Sequence, residues 1–257
     1  MSTKGRERRD AIFEMVRRRG FVTVEALAVD FAVTSQTIRR DIKTLCNAGH
    51  LVRHHGGAGL PSSIVNTDFA ARRIAQLNEK EAIANAIADF VPDGASVFMT
   101  IGTTMEMAAR ALLRRKGLRI ITNNLHAAVA LHSEADFSVS LAGGSIRPHN
   151  GGIVGAAAIE TIEQYRVDFA IISVGAIEAD GTLLDFYADE VSTAQAMVRN
   201  ARKVLLAVDH TKFDRTAVVR QGDMAEVSAL FTDEAPPKSI LSILKKNQTE
   251  LHVCGTK

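Results

Sequence analysis

Four short segments of this 257-residue chain combine glycine, hydroxyl, amide and cationic residues in patterns that can hold a small anion. In Thr100-Ile101-Gly102-Thr103-Thr104 the glycine permits close backbone approach, and two hydroxyls open a helical stretch whose first N–H groups are free to grip a phosphate. Thr122-Asn123-Asn124 offers a hydroxyl and two side-chain amides. Ala142-Gly143-Gly144 is followed three residues on by the cation Arg147, and Asp209-His210-Thr211-Lys212 supplies a carboxylate and a further cation. Each segment alone also reads as ordinary punctuation, because Thr and Asn cap helices and Gly-Gly makes turns. Four of them at one end of a fold specify contacts to a small phosphorylated ligand. Asp185, Asp189 and Glu190 surround the start of another helix, where they are either acids favoured by the helix dipole or acceptors for ligand hydroxyls.

The elements between these segments must bring them to one place. After a helix-forming stretch from Asp68 to Phe90 and a Pro92-Asp93-Gly94 turn, strands and helices alternate. Strands are expected at 96–100, 119–122, 137–141, 167–174, 203–208 and 227–232, and helices at 104–113, 125–132, 156–165 and 189–200. This alternation argues for an α/β unit with a mostly parallel sheet and helices on both faces. Ligands in such sheets bind beyond the carboxyl ends of the strands, where all four segments fall.

The first quarter of the chain differs in charge. Residues 1–60 hold 11 Lys/Arg against 6 Asp/Glu, a net of +5, and residues 61–257 hold 20 against 23, a net of −3, so the overall +2 conceals two regions of opposite sign. Such a basic excess is either a solvated helical surface or the electrostatic footprint of a nucleic-acid reader. Ile12, Phe13, Met15 and Val16 lie among charged residues over 8–18, an amphipathic helix ended by Gly20. Thr23 can cap a second helix, with Glu25 in its first turn and Leu27, Ala28 and Phe31 inward. After Ala32-Val33, Thr34 caps a third, from about Ser35 to Asn47, with Gly49 marking its end.

On that third helix Ile38, Ile42 and Leu45 share one face, with Cys46 beside them as a small core residue. Gln36, Arg40 and Lys43 fall opposite, flanked by Thr37 and Arg39, with Ser35 at the helix start. This is a helix-turn-helix pattern, in which Gln can pair with adenine and Arg with guanine in the major groove while Lys and Thr reach phosphates. Leu51-Val52-Arg53-His54-His55-Gly56-Gly57 then reads as a short strand running into a glycine turn, the form of a wing. Arg53, His54 and His55 are its candidate phosphate contacts, or they pack the wing. Adjacent histidines on a strand face opposite ways and no Cys or carboxylate lies close by, so no metal site is expected.

With 46% hydrophobic residues the chain can bury a sizeable core, which excludes a disordered chain and a disulfide-stapled miniprotein. No apolar run approaches the roughly 18 residues of a membrane span, the longest, Phe169 to Ile177, being broken by Ser173 and Gly175. No secretory signal is expected, because Lys4 to Asp10 mix charge signs and lead into no apolar stretch, and two distant cysteines, Cys46 and Cys254, fit a reducing cytoplasm.

The run Val33-Thr34-Ser35-Gln36-Thr37-Ile38-Arg39-Arg40-Asp41-Ile42, with Gly49, Arg53 and Gly56-Gly57, resembles the winged helix-turn-helix of the DeoR family of bacterial transcriptional regulators. Arg53-His54-His55-Gly56-Gly57-Ala58, Leu60-Pro61-Ser62-Ser63 and Val65-Asn66-Thr67 are similar to its glycerol-3-phosphate subgroup, as are Gly151-Gly152-Ile153-Val154-Gly155 and Val208-Asp209-His210-Thr211-Lys212-Phe213. The resemblance implies a C-terminal sugar-phosphate-sensing domain related in fold to ribose-5-phosphate isomerase. It places Gly102-Thr103-Thr104, Thr122-Asn123-Asn124, Gly143-Gly144, Glu190 and Lys212 at the family's ligand positions. The family usually has Asp two positions before the glycine of its Gly-Thr-Thr loop, and this chain has Thr100.

The expectation is therefore a DNA-binding domain over 1–60, a linker over 61–75 and a sensor over 76–257. Its partners would be double-stranded operator DNA, a phosphorylated sugar or polyol, glycerol 3-phosphate foremost, and at least one further copy of itself, since symmetric half-sites are read by dimers. No cofactor is expected. Alternatives to a repressor released by glycerol 3-phosphate are a regulator that answers another sugar phosphate, an activator, and an isomerase with Asp185 or Glu190 moving a proton and Lys212 stabilising an enediolate. The isomerase leaves the N-terminal reader without a purpose.

Overall fold

Residues 3–19, 21–47, 50–54, 56–59, 66 and 69–255 are described by a computed structural model. The chain divides at Gln76 into two units, 1–76 and 77–257. Gly20, Gly49, His55, the segment 60–65 and Thr67 lie outside the described residues, as does the side chain of His54.

The first unit runs α1 (Thr3–Arg19), β1 (Phe21–Thr23), α2 (Val24–Asp30), α3 (Ser35–Asn47), β2 (Val52–His54), β3 (Gly57–Gly59) and α4 (Phe69–Ile74). Its core follows from helical spacing: Ile12 and Val16 of α1, Leu27 of α2, and Ile38, Ile42 and Leu45 of α3 meet with Leu51 and Ala58. The Thr23 hydroxyl accepts from the Ala26 amide at 3.1 Å, so α2 starts where its cap dictates. The three strands pair antiparallel in the order β1-β3-β2, forming the wing sheet. Gly57 is required there, because a Cβ would collide with the Val22 carbonyl and the Phe21 ring.

The second unit runs α5 (Leu77–Phe90), β4 (Ser96–Met99), α6 (Thr103–Leu112), β5 (Arg119–Thr122), α7 (Leu125–Leu131), β6 (Ser138–Leu141), β7 (Ser145–Ile146), β8 (Ile153–Val154) and α8 (Ala156–Glu163). It continues through β9 (Val167–Ile172), β10 (Ala176–Ile177), β11 (Thr182–Asp185), α9 (Ala188–Arg199), β12 (Ala201–Ala207), β13 (Val219–Asp223), β14 (Ala229–Thr232), α10 (Lys238–Asn247) and β15 (Glu250–Val253). Seven strands form one parallel sheet in the order β15-β14-β12-β9-β4-β5-β6. Alternate residues serve opposite faces: Val97, Met99, Leu205 and Phe231 pack under α5, α6 and α7, and Phe98, Leu206 and Leu230 under α8, α9 and α10. The chain winds outward from β4 in one direction through β5 and β6, then returns to β9 on β4's other side. The strand order thus reverses between β4 and β9, which places a crevice at their carboxyl ends.

The expected helix from Asp68 to Phe90 is two helices. Gln76, with φ 51°, turns the chain between α4 and α5 in a left-handed conformation that a Gln does not advertise in sequence. A β7–β8 hairpin and a small antiparallel sheet, β10-β11-β13, are additions to the expected alternation.

Candidate functional site

In the first unit α3 presents its polar face as its spacing requires. Ile38, Ile42 and Leu45 are buried, Gln36, Arg39, Arg40 and Lys43 are exposed, and Ser35 and Thr37 are half-buried. The Thr34 hydroxyl caps the helix, accepting from the Thr37 amide at 3.3 Å and lying 3.0 Å from the Thr37 hydroxyl. Arg39, Arg40 and Lys43 have no ion-pair partner among the described residues, whereas Arg8 and Arg9 of α1 are held by Asp41 at 2.6 and 3.5 Å. The basic residues are therefore divided, some fastening α1 to α3 and some facing solvent. Arg53 is exposed on β2, where it pairs with Ala58 across the ladder. Cys46 packs against the core of this unit, and burial raises its thiol above the ordinary value, with Arg53 opposing, which disfavours the thiolate.

In the second unit Gly102, Asn123, Gly143 and Lys212 follow the carboxyl ends of β4, β5, β6 and β12, one end of one sheet, and Thr122 closes β5. Gly102 has φ 137° and starts α6 without a side-chain cap. A Cβ on it would lie 3.8 Å from the Ser173 Cβ, so this loop sits at the reversal between β4 and β9. Thr103 and Thr104, in the first turn, are buried. Thr100 turns inward instead: its amide and hydroxyl face the Ile171 carbonyl at 3.1 and 3.4 Å, knitting β4 to β9. The residue that departs from the family pattern thus serves the sheet.

Thr122, Asn123 and Asn124 are all buried, with different partners. The Thr122 hydroxyl donates to the Met99 carbonyl at 2.7 Å. Asn124 caps α7 through the Ala127 amide at 3.1 Å and donates to the Thr100 carbonyl at 3.3 Å. Asn123 donates to the Ile153 carbonyl at 3.0 Å, but its Oδ1 is buried with no hydrogen-bond partner. Such an acceptor is costly unless something else pairs with it.

Gly144, with φ 135°, lets β7 approach β8, since a Cβ would collide with the Val154 carbonyl, while Gly143 is open. Arg147 reaches α9: its guanidinium donates to Asp189 at 2.5 Å, its Nε lies 2.9 Å from Glu190, and it stacks 4.3 Å over the Tyr187 ring. Asn150 also donates to Glu190, at 2.8 Å. Asp185 accepts from the Phe186 amide at 2.8 Å.

Asp209 and Lys212 are buried together beyond β12, and Lys80 of α5 is buried in the same electrostatic neighbourhood. Burial alone would raise the Asp209 carboxyl, but the Lys212 ammonium, the Thr211 hydroxyl and Lys80 hold it below the usual range. His210 binds Asp233 twice, through its amide at 2.7 Å and its Nδ1 at 2.5 Å. Burial would lower its pKa, yet Asp233, Glu234 and Asp209 raise it above 6.5. Donor atoms of His210, Asp233 and Glu234 lie within 4.8 Å of one another, close enough to share a metal. The His210–Asp233 ion pair accounts for that closeness without one.

Lys80, Asn150, Tyr187 and Asp233 escaped the sequence reading. Lys80 lay in the middle of the helix expected from Asp68 to Phe90, and only the turn at Gln76 puts it in the first turn of α5. A cleft of about 420 Å³ between Pro92, Ala95, Asp168 and Arg202 opens at the strands' amino ends and is lined by none of the candidate ligand residues.

A winged helix-turn-helix followed by a doubly wound α/β unit is the build of a two-part transcription regulator. Residues 8–64 match the DeoR-like helix-turn-helix domain and residues 75–234 the DeoR C terminal sensor domain, so the chain belongs to the DeoR family. It is 46% identical over 247 residues to the HTH-type transcriptional repressor CsqR of Escherichia coli strain K12, covering 96% of this chain and 95% of that one. It is 44% identical over 251 residues to the glycerol-3-phosphate regulon repressor of the same strain, covering 98% and 100%. Among solved structures, ribose 5 phosphate isomerase A from Neisseria gonorrhoeae is 13% identical over 52% of each chain, with TM-score 0.39.

Proposed function

We propose that this chain is a repressor that grips operator DNA through α3 and the wing and lets go when a phosphorylated polyol or sugar, glycerol 3-phosphate foremost, seats at the carboxyl end of its parallel sheet. Gln36, Arg39 and Arg40 read bases, and Ser35, Thr37, Lys43 and Arg53, with His54 and His55, meet phosphates or shape the wing. Gly102, Thr103 and Thr104 cradle the phosphate on the α6 N-terminus, Asn123 accepts from a hydroxyl, and Lys212 adds charge. The observation that carries this reading is the buried, unpartnered Asn123 Oδ1, one strand over from an uncapped helix N-terminus at the reversal of strand order. The 44%-identical glycerol-3-phosphate regulon repressor supports the choice of effector.

Release requires the effector to bind one arrangement of the chain better than another, because equal affinity shifts nothing. The working form is a homo-oligomer of at least two copies in the cytoplasm, without cofactor, metal or catalytic role. A thermal-shift screen against sugar and polyol phosphates tests the effector half. Glycerol 3-phosphate should raise Tm progressively with concentration while glycerol does not. A panel in which no phosphorylated compound moves Tm contradicts it.

A further inference from the structure

Most side chains at the carboxyl ends of β4 and β5 are covered. Thr103, Thr104, Thr122, Asn123 and Asn124 are each at most 7% exposed, so a ligand reaches them only if something above them moves. Against Asn123, Asn124 and Ile101 of this end lies the β7–β8 hairpin. Its return strand is bound to the β5–α7 loop by the Ile153 amide donating to the Asn123 carbonyl at 2.8 Å, the Leu125 amide donating to Gly151 at 3.1 Å, and an Asn124–Gly152 bridge. Gly152 also lies against Ile101, in the Gly-Thr-Thr loop, where an added Cβ would come within 3.1 Å.

The hairpin has little hold of its own. Its two strands are two residues each, and Ser145 and Ile146 are exposed. Its free end is held from the other side, by Arg147 on Asp189, Glu190 and Tyr187 and by Asn150 on Glu190. The contact to Asp189 is exposed and is the kind that exchanges readily, whereas Glu190 is buried and anchors the inner side of the same cluster.

We propose that residues 145–154 are a strap over the effector site, latched to the start of α9 by Arg147, and that the effector enters and leaves only when this latch opens. The inference rests on reading the carboxyl end as the effector site. It gives Arg147 and Glu190 a role in gating rather than in gripping the ligand. Tyr187 stacks on the guanidinium in the closed latch, and the Asn150 contact to Glu190 parts together with it when the strap lifts.

Hydrogen exchange on the full chain, without ligand, tests the latch. Arg147→Met should speed exchange across 145–154 about tenfold and leave 104–112 unchanged. Exchange in 145–154 equal to wild type overturns the latch. Should Arg147→Met loosen the whole unit, Asp189→Asn is decisive, with a smaller acceleration confined to the same segment expected and none contradicting. Stopped-flow binding of glycerol 3-phosphate tests the gate, with association and dissociation both faster in Arg147→Met and affinity changed by less than either rate. Unchanged association with faster dissociation would instead make Arg147 a ligand contact and overturn the gate. Wild-type protein that ignores glycerol 3-phosphate counts against the effector proposed above, and the ligand-free comparison still decides the latch.

Discussion

Arg8 Nε donates to Asp41 Oδ2 at 2.6 Å, tying the N-terminal helix to the inner side of the recognition helix across 33 residues of sequence. Asp41 is buried, and Arg9 approaches it from the same helix at 3.5 Å. Two arginines are thereby committed to the fold, while Arg39, Arg40 and Lys43 remain for a partner. Asp41→Ala should lower the stability of the first unit by about 1–3 kcal/mol, because two cations lose their buried acceptor. It should weaken operator binding only through that loss. Urea unfolding of the reader, paired with operator titration at low temperature, separates the two effects.

The exposed cations on α3 should divide by role. Arg40→Ala should relax preference at one operator position by about 1–3 kcal/mol if it contacts a base edge. Lys43→Ala should weaken all sequences alike and lower the slope of log K against log salt by about 1. Titrations against single-base variants of a selected operator at several salt concentrations read both.

Gly102 tests the phosphate cradle. There is room for a methyl group, the nearest atoms being 3.7 and 3.8 Å from a built Cβ, but φ 137° disfavours any side chain. Gly102→Ala should cost about 1–3 kcal/mol of stability and shift the α6 N-terminus enough to abolish the thermal response to glycerol 3-phosphate. A Gly102→Ala protein with wild-type Tm and full response would contradict the cradle.

His210 and Asp209 give the sensor a pH signature. The His210 pKa is raised in the fold, so its stabilising contribution is complete below about 6.5 and is lost as pH rises through the higher folded value. Asp209 is depressed, so its contribution is present above about 3.9 and is lost as pH falls through the lower folded value. His210→Asn should therefore destabilise more at pH 6 than at pH 9. Melting curves across that range, wild type beside variant, show it as a gap that narrows with rising pH.

Much of this architecture is written locally. Ile38, Ile42 and Leu45 recur at helical spacing, and Thr34 and Thr23 cap where a side-chain oxygen meets free amides, so the reader was legible. The parallel sheet was legible for the same reason, from short apolar strands alternating with helices. The position of β9 beside β4 was not, because which edge a returning strand joins is a tertiary choice, and with it went the crevice. The Arg147–Glu190 contact spans 43 positions and the Lys80–Asp209 neighbourhood far more, beyond any periodicity. Strands as short as β7 and β8 carry no alternation to read. Asn123 and Asn124 looked alike in sequence, and only their surroundings set a capping residue apart from one with an idle acceptor.

The central claim is that filling the sensor empties the reader. The direct measurement is fluorescence anisotropy of a labelled operator duplex, obtained by selection from random DNA, titrated with the full chain with and without saturating glycerol 3-phosphate at fixed salt. The account predicts at least about tenfold weaker operator binding with the effector, a coupling of about 1.4 kcal/mol, and no change with glycerol. Superimposable titration curves, with effector binding confirmed in the same samples by thermal shift, would contradict it.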